Sequence, residues 1–155
     1  MLDVEAVNQL LNDAVPFNHV LGVQVESVAP EQVTVIMPQS PERLNHVGTT
    51  HAVAQFGLGE VTSGTMTLIA FSDLQRQGYA PVVTDASVTY HQPARGQLRG
   101  EATLPAAEQA RIRSEIGAGG RPRFTIAVRL SDEQGTLTTE LRFEWTLLAP
   151  RSAKG

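Results

Sequence analysis

The chain has 155 residues, 41% hydrophobic and 18% charged, a balance that supports one buried core and excludes disordered and fibrous classes. Its formal charge of -4 argues against the broad cationic surface that nucleic acid requires, so no nucleic-acid partner is expected. With no cysteine, disulfides, thiolate catalysis and Cys-ligated zinc are excluded.

Val4, Val7, Leu10, Leu11 and Val15 recur at spacings of three and four, which predicts a short amphipathic helix over residues 2–15, ended by Pro16. The same segment carries acids early and lacks a basic region followed by an apolar run. It does not have the form of a secretory signal, and a cytoplasmic location is expected. Residues 21–28 and 32–37 predict two strands of a hairpin, because Val33, Val35 and Met37 repeat with period two. Residues 38–50 collect Pro, Ser, Asn and Gly and predict a loop.

Residues 51–77 predict a long helix whose apolar side chains occupy every side, the pattern of a buried helix. Gln, Glu, Ser, Thr and Gly residues within it argue against a membrane span. Four strands should follow, over residues 81–91, 97–104, 123–130 and 136–147. The last alternates most clearly, with Leu137, Thr139, Leu141, Phe143, Trp145 and Leu147 on one face and Thr138, Glu140, Arg142, Glu144 and Thr146 on a wet one. Between the second and third of these strands, residues 106–116 are polar and helix-favouring. The expected class is α+β in one domain over residues 1–155, an antiparallel sheet covering its apolar face with the only helix apolar enough to do so.

His19, His46, His51 and His91 form neither an HExxH pattern nor a His–carboxylate cluster, so no metal site is expected. Arg111, Arg113, Arg121 and Arg123 gather closely enough to meet a compact anionic ligand or to form a solvated face. Between His51 and Asp73 the only titratable side chain is Glu60. At about 100° per residue it shares a helix face with Val53, Phe56, Gly64, Thr67 and Phe71. A carboxylate in such surroundings is either paired structurally or kept for chemistry. At the helix start, His46-Val47-Gly48-Thr49-Thr50-His51 leads into backbone N–H groups that lack intrahelical acceptors and can polarise a carbonyl oxygen. The plainer alternative is a turn at Gly48 with a Thr cap. Glu60 lies nine residues beyond His51, about 13 Å along the axis, so it cannot reach a carbonyl held at its own helix start. A second chain's helix start, or an irregular first turn, is needed.

The segment 45–60, NHVGTTHAVAQFGLGE, resembles the N-x-x-G-x-x-H-G-G-x-x-x-x-L-A-[DE] pattern of hotdog-fold thioesterases of the phenylacetic-acid-degradation and 4-hydroxybenzoyl-CoA type. Asn45, Gly48, His51, Leu58 and Glu60 fall in register, and the run VTDASVTYHQPARGQLRGEATL is similar to the family's strand-turn-strand. The resemblance covers residues 22–147. It implies a hotdog fold, a sheet wrapped around the central helix, and hydrolysis of an acyl-CoA thioester without metal or redox cofactor. It further implies that Glu60 is general base or nucleophile, that Asn45 positions water or substrate, and that Ala52 and Val53 supply helix-start amides. The second subunit would complete the site, in a homodimer or dimer of dimers.

Gly48 and His51 would shape the substrate-binding turn, and Phe56 would face the acyl or aryl group. Arg95, Arg99 or the arginines from Arg111 to Arg123 would meet coenzyme A phosphates. The chain departs from the pattern in having Ala52 and Val53 where the family has two glycines. Gly64 stands where one branch has a hydroxyl, and Ser63 or Thr67 could supply one nearby. A non-catalytic acyl- or aryl-binding module and a hydratase or dehydratase on the same fold are the alternatives.

Overall fold

The computed structural model describes residues 3–150. Helix α1 spans Val4–Ala14, capped by Asp3, whose carboxylate accepts the Glu5 N–H at 3.0 Å. Residue 2 of the expected helix lies outside the described residues. A second helix that the sequence reading did not foresee, α2 (Phe17–Leu21), follows Pro16, whose ring fixes a backbone angle already suited to a helix. It takes up Leu21, so strand β1 (Gln24–Ala29) begins later than residue 21. Strand β2 is Gln32–Met37 as expected, and a 3-10 turn at Pro41–Arg43 interrupts the loop that follows.

Helix α3 spans Ala52–Arg76, one residue inside the expected bounds at each end, because His51 and Gln77 are its caps. Strands β3 (Ala80–Tyr90) and β4 (Leu98–Thr103), helix α4 (Ala106–Gly117), and strands β5 (Arg123–Ser131) and β6 (Leu137–Leu148) complete the order.

The six strands form one sheet in the order β1-β2-β4-β5-β6-β3, every neighbouring pair antiparallel. The class is α+β, and α3 packs against β2, β4, β5, β6 and β3, which makes it the axle of the sheet. Leu58, Met66 and Phe71 of α3 are buried with Ile126, Leu130, Leu141 and Phe143. The helix can be buried despite its hydroxyls because Thr62, Thr65 and Thr67 donate to the carbonyls four residues back, at 2.6, 2.7 and 3.0 Å. Gly59 brings it close to β6, since a Cβ there would lie 2.7 Å from Leu141. On β6 the expected wet face is interrupted: Thr138 and Thr146 are buried, their hydroxyls donating to the Leu130 and Pro122 carbonyls.

The two sheet edges differ. At the β1 edge, Asn8 of α1 accepts the Val25 N–H at 2.7 Å and donates to the Val25 carbonyl at 2.9 Å, beside a register shift between Val25 and Ser27. That pairing satisfies the strand where the bulge breaks its ladder. At the other edge β3 runs for 11 residues, mostly exposed, with nothing paired to its outer side among the described residues.

Candidate active site

Two cavities lie along α3. One, of about 450 Å³, sits at the helix start and is lined by Asn45, Ala52, Gln55, Tyr90 and Arg95 among others. The second, of about 840 Å³, lies beside Glu60, between α3, α1 and strands β3 and β6. Within one chain the structure therefore separates the two halves of the expected site. Asn45, Ala52 and Arg95 share the first cavity; Glu60 and Gly64 share the second.

At the helix start, Asn45 acts on its own loop. Its side-chain oxygen accepts the Val47 and Thr49 N–H groups at 3.1 and 3.0 Å, and its amide donates to the Thr49 hydroxyl at 2.8 Å. Gly48 provides the turn with φ of 74°, a conformation that costs glycine little. His51 caps α3 through Nδ1, which accepts the Val53 N–H at 3.1 Å. That bond commits one of the two expected amides. The Ala52 N–H has no acceptor among the described residues, and the Ala52 carbonyl accepts the Tyr90 hydroxyl at 3.1 Å. Desolvation raises the Tyr90 pKa, which keeps that hydroxyl a donor. Val53 itself projects outward, 67% exposed.

Gln55, which the sequence reading passed over, is buried at this cavity, donates to the Thr50 carbonyl at 2.9 Å and accepts the Thr139 hydroxyl. Its signal was available: a lone amide on an otherwise apolar stretch of helix needs partners.

Around the second cavity, Glu60 is partly buried, and its carboxylate has no hydrogen-bond or ion-pair partner among the described residues. Desolvation pushes its pKa above the ordinary carboxylate range, with no compensating cation. Ser63 is wholly buried and does not face the cavity as a free hydroxyl. It donates to the Glu60 carbonyl at 3.0 Å and accepts the Trp145 indole N–H at 3.2 Å. Trp145, read from sequence simply as core, thus becomes a fixed wall of the cavity, next to Gly64. Phe56 turns toward the sheet, edge-on to Phe143 with ring centroids 5.2 Å apart, and Phe71 likewise meets Phe124. Neither lines either of these two cavities, because the open face of α3 is rotated toward Val61 and Leu68.

Four of the six candidate arginines are spent on carboxylates, Arg95 and Arg121 being the exceptions among the described residues. Arg111 pairs with Glu108 and Glu115, Arg113 with Asp73, Arg123 with Glu144 and Arg99 with Glu26. The pairing with Arg113 holds the Asp73 carboxyl below its usual range. Arg95, at the first cavity, has no ion-pair partner among the described residues. Among those residues no group of three or more His, Cys, Asp or Glu could hold a metal ion, and no helix is long and apolar enough to cross a membrane.

The family described as "Domain of unknown function (DUF4442)" matches residues 4–147. No curated protein matches the chain. Among solved structures, a protein of unknown function and probable thioesterase from Pseudomonas aeruginosa is similar over 95% of this chain and 96% of its own, at 28% identity and a TM-score of 0.84. A protein of unknown function from Chlorobaculum tepidum shares 15% identity, with 94% of each chain covered and a TM-score of 0.84. A thioesterase from Haemophilus influenzae shares 16% identity over 100% of this chain and 96% of its own, at a TM-score of 0.74. The architecture is that of the hotdog fold.

Proposed function

We propose that this chain, which belongs to the DUF4442 family, is a hydrolase of acyl-CoA thioesters that works as a homodimer with Glu60 as its catalytic carboxylate. The observation that carries the reading is Glu60 itself, a desolvated carboxylate without a partner at the edge of an apolar cavity of about 840 Å³. Such a group costs stability and is retained where its basicity is used. The 28% identical neighbour described as a probable thioesterase supports the same chemistry.

In the proposed reaction Glu60 takes a proton from water as the oxygen attacks the thioester carbonyl, and the collapsing intermediate expels coenzyme A as its thiolate. The free Ala52 N–H at the positive end of α3 would hold the oxyanion. Because Glu60 and Ala52 face different cavities of one chain, that amide would come from a second protomer, and the open β3 edge offers the surface on which two sheets could join. Arg95 would meet a phosphate of coenzyme A near the first cavity.

Replacing Glu60 by Gln tests the reading, because size and polarity are kept while the base is lost. Thioester turnover should fall about a hundredfold or more with the dimer intact. Wild-type turnover in Glu60→Gln, or full activity from a monomer in sedimentation, refutes it. A non-catalytic acyl-binding module is favoured by one feature, the His51 cap that occupies the Val53 amide. Tight binding with no turnover on any acyl- or aryl-CoA would establish that alternative.

A further inference from the structure

The cavity beside Glu60 is a long groove. Along α3 its wall is a stripe with roughly one residue per turn: Glu60, Gly64, Leu68, Ser72 and Arg76. Sixteen residues separate the ends, about 24 Å at 1.5 Å per residue, with a bend at Phe71, where the backbone leaves helical angles. Glu60 and Arg76 are the only charged side chains that line it among the described residues. The opposite wall comes from Leu10 and Leu11 of α1, from Val15 just beyond its end, and from Pro81 to Val83 of β3. Leu10, Val15 and Val83 stand 51, 43 and 37% exposed, so large apolar surface is left open to whatever enters.

We infer that this groove is a ruler for a linear, long-chain saturated acyl group, lying along α3 with its carbonyl at Glu60 and its methyl end toward Arg76. The inference rests on the proposed thioesterase reading for which end holds the carbonyl. Tetrahedral carbon chains with bonds of about 1.5 Å advance about 1.25 Å per carbon, so about 24 Å accommodates roughly 19 carbons. A volume of about 840 Å³ lies within the range of preformed ligand cavities. A compact aryl group would cover one or two turns of the stripe and leave the remaining apolar wall wet. Trp145, fixed by Ser63 beside Gly64, sets the width near the carbonyl end.

The test uses blocks placed along the stripe. Leu68 lies eight residues beyond Glu60 and Ser72 twelve, about 12 and 18 Å, which correspond to about 10 and 14 carbons. Saturated primary alcohols from six to twenty-two carbons, whose neutral head can donate to Glu60, are bound to the intact protein by displacement of a fluorescent fatty alcohol, a readout that needs no turnover. In the wild type, affinity should climb by up to about fourfold per added methylene and level off near 19 carbons. In Leu68→Trp the plateau should move to about 10 carbons, and in Ser72→Trp to about 14, with shorter alcohols bound as before. Circular dichroism identifies a variant that fails to fold, and the wild-type curve and the other variant then decide.

A wild-type plateau at or below eight carbons, or plateaus that stay in place in both folded variants, overturns the inference. So does a Leu68→Trp change that dissociates the dimer without moving the plateau, since a second copy would then fill the groove. The ruler persisting in a protein without thioesterase turnover refutes the proposed reaction alone, and turnover restricted to short or aryl thioesters refutes the ruler alone.

Discussion

Glu60→Gln should stabilise the protein at neutral pH while it removes the proposed base. Burial raises the Glu60 pKa in the folded state and no partner offsets it, so the folded chain holds the proton more tightly than the unfolded chain does. The sign follows from that difference. Stability linked to this group is fully present below the unfolded value, near pH 4, and is lost as pH rises through the higher folded value. Each unit of elevation costs the ionised protein about 1.4 kcal/mol. A neutral amide of the same size escapes that cost, although it loses some hydration of its own.

For a chain of this length each kcal/mol shifts the melting temperature by about 2–4 °C. Thermal melts of both proteins from pH 3.5 to 8, at one protein concentration because assembly contributes to the midpoint, should show the variant melting higher at neutral pH. The gap should close toward pH 4, while the other carboxylates titrate alike in both proteins and cancel. A wild type that melts higher than the variant at pH 7, or a gap that does not change with pH, would refute the argument by showing Glu60 paired.

Two glycines of α3 should respond in opposite ways to the same substitution. Gly64→Ala gains up to about 1 kcal/mol of helix propensity, since its Cβ would meet Trp145 at an ordinary 3.5 Å, whereas Gly59→Ala meets buried Leu141 at 2.7 Å and loses about 1–3 kcal/mol to overpacking before that gain. Equal melting temperatures for the two variants would contradict the close approach of α3 to β6. Ser63→Ala strands the Trp145 indole N–H and should cost about 1–3 kcal/mol, with a red shift of Trp145 fluorescence as the wall loosens; unchanged stability and emission would count against its role. Arg95→Ala should raise the Michaelis constant for acyl-CoA and weaken its salt dependence without changing turnover at saturation, and an unaltered Michaelis constant removes Arg95 from phosphate binding.

Periodicity settled much of this protein. The all-round apolar pattern of residues 51–77 identified a buried helix, and the alternation from Leu137 to Leu147 identified a strand, because both report which directions around the backbone lose water. Glu60 stood out for the same reason, as the one carboxylate where water is scarce. Helix α2 escaped the reading, since five residues are too few to display a period. Tertiary structure alone decided the partners. It spent Asn45 and His51 on their own loop and cap, paired Arg111, Arg113 and Arg123 with acids, and hung Trp145 on Ser63 across 82 residues of sequence. It also turned Phe56 and Phe71 to the sheet and left Glu60, Gly64 and Leu68 facing the groove, because the side of a helix that stays open depends on what packs against the others.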